Sequence, residues 1–295
     1  MKRVLLIVLL AIGSLGAFAQ ESLILHYDFM NDNGKVVRDK SASHFDGTLQ
    51  GSASLESGCV YLGNEDGYID LGKGIGEKLQ QLRQFTMAVR YKVDADASLK
   101  GQGYFLWAFS TLPLNTQTEG RYQAYKLNVQ RSENSVGGWK NETLMDIGKP
   151  SEKGNWQYVV YTQNDDEGRL FLNGKLVAFN NKMFTMSETF PKEAPIYNWM
   201  GRAPFKGDSY LKGTRISDVR MYDSALTEKE IRELYNELQL GDLSRHDFMY
   251  TGQSKNRRIY KIQNGEIVWK YDNVKGKGEI SDAVLMDDGH ILIAD

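Results

Sequence analysis

Residues 168–179, GRLFLNGKLVAF, carry the strongest local instruction in this chain. Asn173-Gly174 supplies the two residues that tolerate positive φ in a type I′ turn, and apolar arms flank it on both sides. That is the pattern of a two-residue β-hairpin. FTMAVRYKV alternates, with Phe85, Met87, Val89, Tyr91 and Val93 on one face and Thr86, Arg90 and Lys92 on the other, as a half-buried antiparallel strand does. WQYVVYTQ (156–163) is apolar on both faces, as a central strand requires. GYIDLG, GYFLWAFS and YQAYKLNVQ add short strands between Gly, Asn, Asp and Ser. So many short strands predict an all-β chain, a two-sheet sandwich or jelly roll.

One convincing helix interrupts the strands. Thr227 is a good N-cap and Glu230 stands three residues on, the spacing of a capping box. Leu226 and Ile231 are placed as a hydrophobic staple, and Ile231, Leu234, Tyr235 and Leu238 recur at helical spacing. The pattern predicts a helix over 228–238 that clips onto the β-domain. A turn is expected at 77–83, and the Gly-rich GKGIG (72–76) reads as a plain loop.

The first nineteen residues are set apart. Lys2 and Arg3 precede an apolar run, Val4–Ile12, and Ala17-Phe18-Ala19 offers an A-x-A cleavage site. This is the pattern of a secretory signal peptide, too short to span a bilayer. It predicts a soluble protein, secreted or held in a bacterial periplasm or at the cell surface, with no membrane insertion. Lys and Arg number 36 against 38 Asp and Glu, a net charge of −2 that becomes −4 without Lys2 and Arg3. With no basic cluster, nucleic acid is a poor partner. The single Cys59 forbids an intramolecular disulfide, which fits a bacterial envelope.

Beyond Leu240 the texture changes. GDLSRHD (241–247) reads as a linker, and Asn264-Gly265 and Asp288-Gly289 mark further hairpin turns within residues 248–295. These residues amount to about one propeller blade, which takes roughly 40–50 residues. The expected organisation is a signal peptide at 1–19, a sandwich domain at 20–240, a linker at 241–247 and an incomplete blade at 248–295, as in a longer protein cut short.

Four motifs carry a family resemblance. WQYVVYTQNDDEGRLFLNGKLV and LKGTRISDVRMYDSALTEKEIRELY, with the opening LILHYDFMNDNGKVVRDKSASHFDGTL and NEDGYIDLG, together resemble the bacterial laminin-G-like domains of the concanavalin A-like lectin/glucanase superfamily. The likeness covers about residues 22–238 and implies a two-sheet jelly roll with one short C-terminal helix. Ser217 before Asp218-Val219-Arg220 departs from the family's usual I-D-E-V-R and predicts a shifted strand. The tail resembles, less specifically, the first blade of a quinoprotein or arylsulfotransferase-like β-propeller.

Candidate chemistry is sparse. Glycosidases on this fold place two carboxylates across the scissile bond, as E-x-D-x-E on a strand, and no such string occurs. Asp165-Asp166-Glu167 read as a turn, and Glu228 and Glu230 lie on the capped helix. No catalytic residue is assigned. The histidines lack zinc spacing, and there is no P-loop or G-x-S-x-G. The family resemblance implies a structural calcium where first and last strands meet, with Asp28, Asp39 and Asp218 at that junction. The competing reading makes Asp28 and Asp39 turn residues and Asp218 an acceptor of backbone donors. For a glycan, an exposed aromatic face is needed. Trp139, in the polar loop SVGGWKNE, is the first candidate, and Tyr122 with Arg121 the next, while Trp107, Trp156 and Trp199 are expected in the core. The expected function is an exported, non-catalytic module binding a glycan or polysaccharide. The alternatives are an accessory domain of an enzyme whose active site lies in a missing propeller, and a structural or protein-adhesion module.

Overall fold

A computed structural model describes residues 21–56, 58–111, 120–125, 128–132, 143–146, 152–190, 192, 195–245, 248–251, 258–263, 266–273, 280, 282–286 and 289–294. The signal-peptide segment and Trp139 lie outside the described residues. The chain divides into two compact units, residues 1–232 and 233–295.

In the first unit the strands follow in chain order. β1 (Leu23–Tyr27), β2 (Val36–Val37), β3 (Gly47–Gln50), β4 (Ser54–Glu56), β5 (Cys59–Tyr61) and β6 (Tyr68–Asp70) precede helix α1 (Gly74–Leu79). β7 (Gln84–Val93), β8 (Phe105–Ser110), β9 (Gly120–Ala124), β10 (Asn128–Ser132), β11 (Thr143–Asp146), β12 (Gln157–Asn164), β13 (Glu167–Leu172) and β14 (Lys175–Asn180) come next. Helix α2 (Met186–Thr189), β15 (Tyr197–Met200) and β16 (Thr214–Tyr222) complete it, and helix α3 (Glu228–Arg245) crosses the boundary between the units. The strands form two eight-stranded antiparallel sheets. Sheet A runs β14-β13-β12-β7-β16-β5-β4, with β1 also paired to β16, and sheet B runs β11-β10-β9-β8-β15-β6-β3-β2.

The core between the sheets follows from alternation. Phe85, Met87, Val89, Tyr91 and Val93 of β7 all enter one buried cluster, with Leu106, Trp107 and Phe109 of β8. The Asn173-Gly174 turn has φ of 51° and 74°, both in the left-handed region a type I′ turn needs. Asn173 adds to the hairpin by accepting the Tyr158 backbone N–H through its side chain at 2.8 Å.

The opposite face of β7 is more deeply covered than a half-buried strand implies, because the chain doubles back over it. The Leu226 amide donates to Thr86 Oγ1 at 2.9 Å, and Thr86 Oγ1 donates to the Ser224 carbonyl at 2.8 Å. That clip leads into α3. The Glu230 amide donates to Thr227 Oγ1 at 3.3 Å and the Thr227 amide to Glu230 Oε2 at 2.7 Å, the expected capping box. Leu226 and Ile231 are both buried, as a staple requires. The register of β16 on β7 slips between Ile216 and Asp218, so Ser217 is the bulge residue, where the motif departure predicted a shift.

Two local expectations are corrected. GKGIG is not a plain loop, since α1 begins at Gly74. The linker at 241–247 is helical as far as Arg245. Gly241 costs a helix about 1 kcal/mol against Ala, but the segment holds no proline to stop propagation. α2 was not anticipated, although Thr185 and Glu188 spell its capping box.

The second unit carries, beyond its share of α3, an antiparallel sheet of β17 (Phe248–Thr251), β18 (Arg258–Gln263) and β19 (Glu266–Asp272). A separate pair, β20 (Asp282–Leu285) and β21 (Ile291–Ala294), follows. Ile259 is buried, whereas Tyr250, Ile267, Val268, Trp269, Val284, Met286 and Leu292 are exposed.

Candidate functional site

Of the residues expected to meet a sugar, Arg121 and Tyr122 are not surface groups. Strand alternation turns Arg121 inward, where it is fully buried and donates to Tyr161 Oη at 2.6 Å, Gln163 Oε1 at 2.5 Å and the Phe184 carbonyl at 3.1 Å. Tyr122 points to the outer face of sheet B yet is equally buried. Residues 201–211 fold over that part of the sheet, packing Phe205 against Tyr122 (centroids 5.3 Å) and Phe105 against it from another side (4.8 Å). Neither residue presents a ring face or a donor to a sugar.

The three carboxylates expected around calcium do not converge. Asp28 Oδ1 accepts the Met30 amide at 2.9 Å within its own turn. Asp39 is saturated: Oδ1 accepts the His26 and Ser41 amides, and Oδ2 accepts Ser41 Oγ and the Phe45 amide, each at 2.8 Å. Asp218 faces Arg220 Nε at 3.1 Å and His26 Nε2 at 3.3 Å. Calcium takes 6–8 oxygen ligands. Four N–H and O–H donors on Asp39 and a guanidinium on Asp218 leave no such set. Among the described residues no three His, Cys, Asp or Glu side chains gather as a metal centre. The residues do not fit the ion, and the junction of first and last strands is held by hydrogen bonds instead.

The outer face of sheet B offers a different arrangement. Cross-strand register aligns Thr48, Asp70, Trp199, Ala108 and Tyr122 in one row across β3, β6, β15, β8 and β9. The 201–211 segment covers the β8–β9 end of this row, and burial falls off toward β3. Phe105, Ala108, Tyr122, Ala203 and Phe205 form an apolar cluster under the loop. Tyr68, Asp70, Tyr197 and Tyr210 remain partly exposed, and Thr48 is exposed.

The loop is firmly tied. The Leu211 amide donates to the Gly201 carbonyl at 2.8 Å, closing its base, and the Tyr104 amide donates to the Ser209 carbonyl at 3.0 Å. Gly201 has φ +85°, and a Cβ there would sit 2.6 Å from Leu62 Cδ1, so this position requires glycine. Arg202, the next residue, is thereby aimed over the sheet. Its guanidinium carbon lies 4.2 Å from the Trp199 ring centroid, 4.7 Å from Tyr68 and 5.6 Å from Tyr210. Tyr68 and Trp199 meet edge to face at 5.8 Å, and Tyr197 packs on Trp199 at 5.9 Å. Burial pushes the Tyr68 phenol above its ordinary pKa, while the nearby Arg202 charge pulls it back. Burial likewise raises the Asp208 carboxyl. Three partly exposed tyrosine rings around the buried Trp199, one stacked cation and a rim of Thr48 and Asp70 are therefore fixed on a rigid sheet, the chemistry that stacks on sugar C–H faces and pairs with hydroxyls.

Sequence reasoning missed this platform. Tyr68 and Asp70, and Tyr197 and Trp199, each alternate onto one strand face, which is legible. That the two strands are neighbours, 129 positions apart in the aligned pair Trp199 and Asp70, is not. A separate surface pocket of about 450 Å³ lies between α1 and Pro195–Ile196, lined by Lys73, Glu77, Gln80 and Gln81 and by no aromatic ring.

A laminin-G family model, described as the concanavalin A-like lectin/glucanases superfamily, matches residues 62–232. Among solved structures, the chain is similar to domain 4 of AbnA, an extracellular arabinanase from Geobacillus stearothermophilus, in complex with arabinotriose. That likeness has a TM-score of 0.54 at 16% identity and covers 72% of this chain and 98% of that one. Trypanosoma rangeli sialidase in complex with sialic acid matches with a TM-score of 0.51 at 14% identity, over 75% of this chain but 33% of the sialidase. The binding domain of botulinum neurotoxin DC in complex with rat synaptotagmin II matches with a TM-score of 0.51 at 14% identity, over 84% and 64% of the two chains. At such identities the likeness carries the fold alone. No curated protein matches the chain. Among the described residues no helix is long and apolar enough to cross a membrane.

Proposed function

This chain belongs to the concanavalin A-like lectin/glucanases superfamily, and we propose that it is an exported, non-catalytic module that binds carbohydrate on the outer face of sheet B. The observation that carries the reading is the platform of partly exposed Tyr68, Tyr197 and Tyr210, packed around the buried Trp199 and held rigid by β6, β15 and the closed 201–211 segment. Stacking on a sugar needs such rings at the surface and polar groups beside them. Thr48, Asp70 and Arg202 supply the polar groups. The arabinotriose bound to the arabinanase domain of the same fold supports the ligand class. Export rests on the charged, apolar and A-x-A pattern of residues 1–19. The short antiparallel strands of the tail, in one sheet of three and one of two, support its assignment in this proposal to a single propeller blade.

The test is retention on a panel of immobilised plant, algal and bacterial polysaccharides, with Tyr68→Ala and Tyr210→Ala beside the natural chain. Binding lost in variants that melt like the parent supports the site. Retention by none of the polysaccharides refutes the reading.

A second reading, protein adhesion, is favoured by one observation. Leu176, Val177 and Phe179 on edge strand β14, with Phe184 beyond it, are all exposed. Unpaired apolar edges recruit other chains. Pull-down that survives Tyr68→Ala and is lost on Phe179→Lys would favour it.

A further inference from the structure

We propose that this surface selects sugars bearing a carboxylate, and that Arg202 reads the charge. The inference rests on the carbohydrate reading above and narrows its ligand class to uronate-type glycans.

Two other ring-stacked arginines are committed to carboxylates. Arg215 lies 4.3 Å over Tyr61 but is committed to Glu56 at 2.8 Å and Asp94 at 2.5 Å. Arg169, near Phe179, is paired to Glu167. Arg202 stands over three rings and has no ion pair among the described residues. Its Nε is buried and has no hydrogen-bond partner. Neither Asp70 nor Asp208 is ion-paired to Arg202 among the described residues. Asp70 Oδ1 accepts the Gly72 amide at 2.9 Å, and burial raises the Asp208 pKa. Lys206, exposed on the same segment, adds positive charge.

A guanidinium locked flat by aromatic contacts has already lost the rotamer freedom that an arginine normally surrenders on binding. Its fork matches a carboxylate, and charge-assisted hydrogen bonds of this kind are about twice as strong as neutral ones. A neutral hexose offers the same ring faces to Tyr68 and Tyr210 but only hydroxyls to Arg202. The platform therefore distinguishes a uronate from its parent hexose at one atom group, C6.

The experiment compares polygalacturonate, alginate and hyaluronan, each with its carboxyl-reduced twin, in which every uronate has become the neutral hexose. Binding of the natural chain to at least one acidic polymer is expected to exceed that to its twin by about tenfold or more. The preference should fall as salt is added. Arg202→Gln should abolish the preference, and Arg202→Lys should retain part of it because the charge stays but the fork is lost. Equal binding to acidic polymers and their twins overturns the inference and leaves the carbohydrate reading standing. So does a preference that survives Arg202→Gln. If neither form of any polymer binds, and neutral polysaccharides fail as well, the carbohydrate reading falls too. The twin comparison uses only the natural chain, so a misfolded variant does not blunt the test.

Discussion

Replacing Arg121 with Met is expected to change stability by no more than about 1 kcal/mol, although it removes a buried side chain that makes three hydrogen bonds. Arg121 is fully buried, and every acceptor it meets is neutral: Tyr161 Oη, Gln163 Oε1 and the Phe184 carbonyl. Burying a cation costs several kcal/mol, and hydrogen bonds from a charged donor return roughly 1.5–3 each. Its Nε has no partner, which subtracts about 1–3 more. The terms nearly cancel. Loss of Arg121 also orphans nothing. Tyr161 Oη still donates to Gln163 Oε1 at 2.7 Å, and Gln163 Nε2 still donates to the Phe184 carbonyl at 2.9 Å and the Asp165 carbonyl at 2.5 Å. Met matches the length of the lost stem and suits the contacts with Phe85 and Tyr161.

Gln163→Leu is the opposite case, since it leaves the buried guanidinium in place and takes away an acceptor. It should cost about 3–5 kcal/mol. Adding Arg121→Met to Gln163→Leu should recover much of that loss. The assay is urea unfolding of the two single variants and the double variant, read as a double-mutant cycle. An Arg121→Met cost above about 3 kcal/mol, equal to that of Gln163→Leu, would refute the account of a near-balanced buried cation.

Three further outcomes are expected. Thr227→Ala should cost about 1 kcal/mol through the lost capping box, read by thermal melting, and no change would mean that the box does not hold the start of α3. Burial raises the Asp208 pKa above its unfolded value, so its protonated form is favoured in the fold. That contribution is full below the unfolded pKa near 3.8 and is lost as pH rises through the folded one. Asp208→Asn should therefore raise the melting temperature at pH 7 and leave it unchanged at pH 3, and a destabilised variant at pH 7 would contradict this. Chelator should not alter the melting temperature, because hydrogen-bond donors already occupy Asp39 and Arg220 faces Asp218. A fall restored by added calcium would show a metal that these contacts do not anticipate.

Local chemistry was legible and neighbourhood was not. Asn173-Gly174, Thr227 with Glu230, and the inward face of β7 each state their structure within ten residues, and each forms as read. The bulge at Ser217 was visible as a motif departure. Arg121 and Tyr122 were misplaced because alternation tells which residues share a face but not what covers it. Arg121 faces Gln163 of the opposite sheet, and Tyr122 is roofed by Phe205, a residue 83 positions away. Asp39 has the composition of a metal ligand, yet its acceptors are filled by four donors that a one-dimensional reading cannot count. The aromatic platform needed both the β15–β6 pairing and the turn at Gly201 that swings Arg202 back over Trp199.

The pairing of β1 with β16 has a mechanical meaning. Leu23 lies opposite Tyr222 and Tyr27 opposite Val219, so the antiparallel pair begins at the point where the chain enters and leaves the sandwich. Tension between these two points would peel the strands apart one hydrogen bond at a time, with each bond loaded in turn, instead of shearing the whole ladder at once. Once the clip of Ser224 and Leu226 on Thr86 has opened, the Asp223 amide to Ser22 carbonyl bond, 2.9 Å long, is the first tooth of that zipper. Pulled by its ends, the module would yield at low force from this seam. A load applied across β7 and β12, whose ladder pairs eight residues from Gln157 with Tyr91 to Asn164 with Gln84, would meet far stiffer resistance.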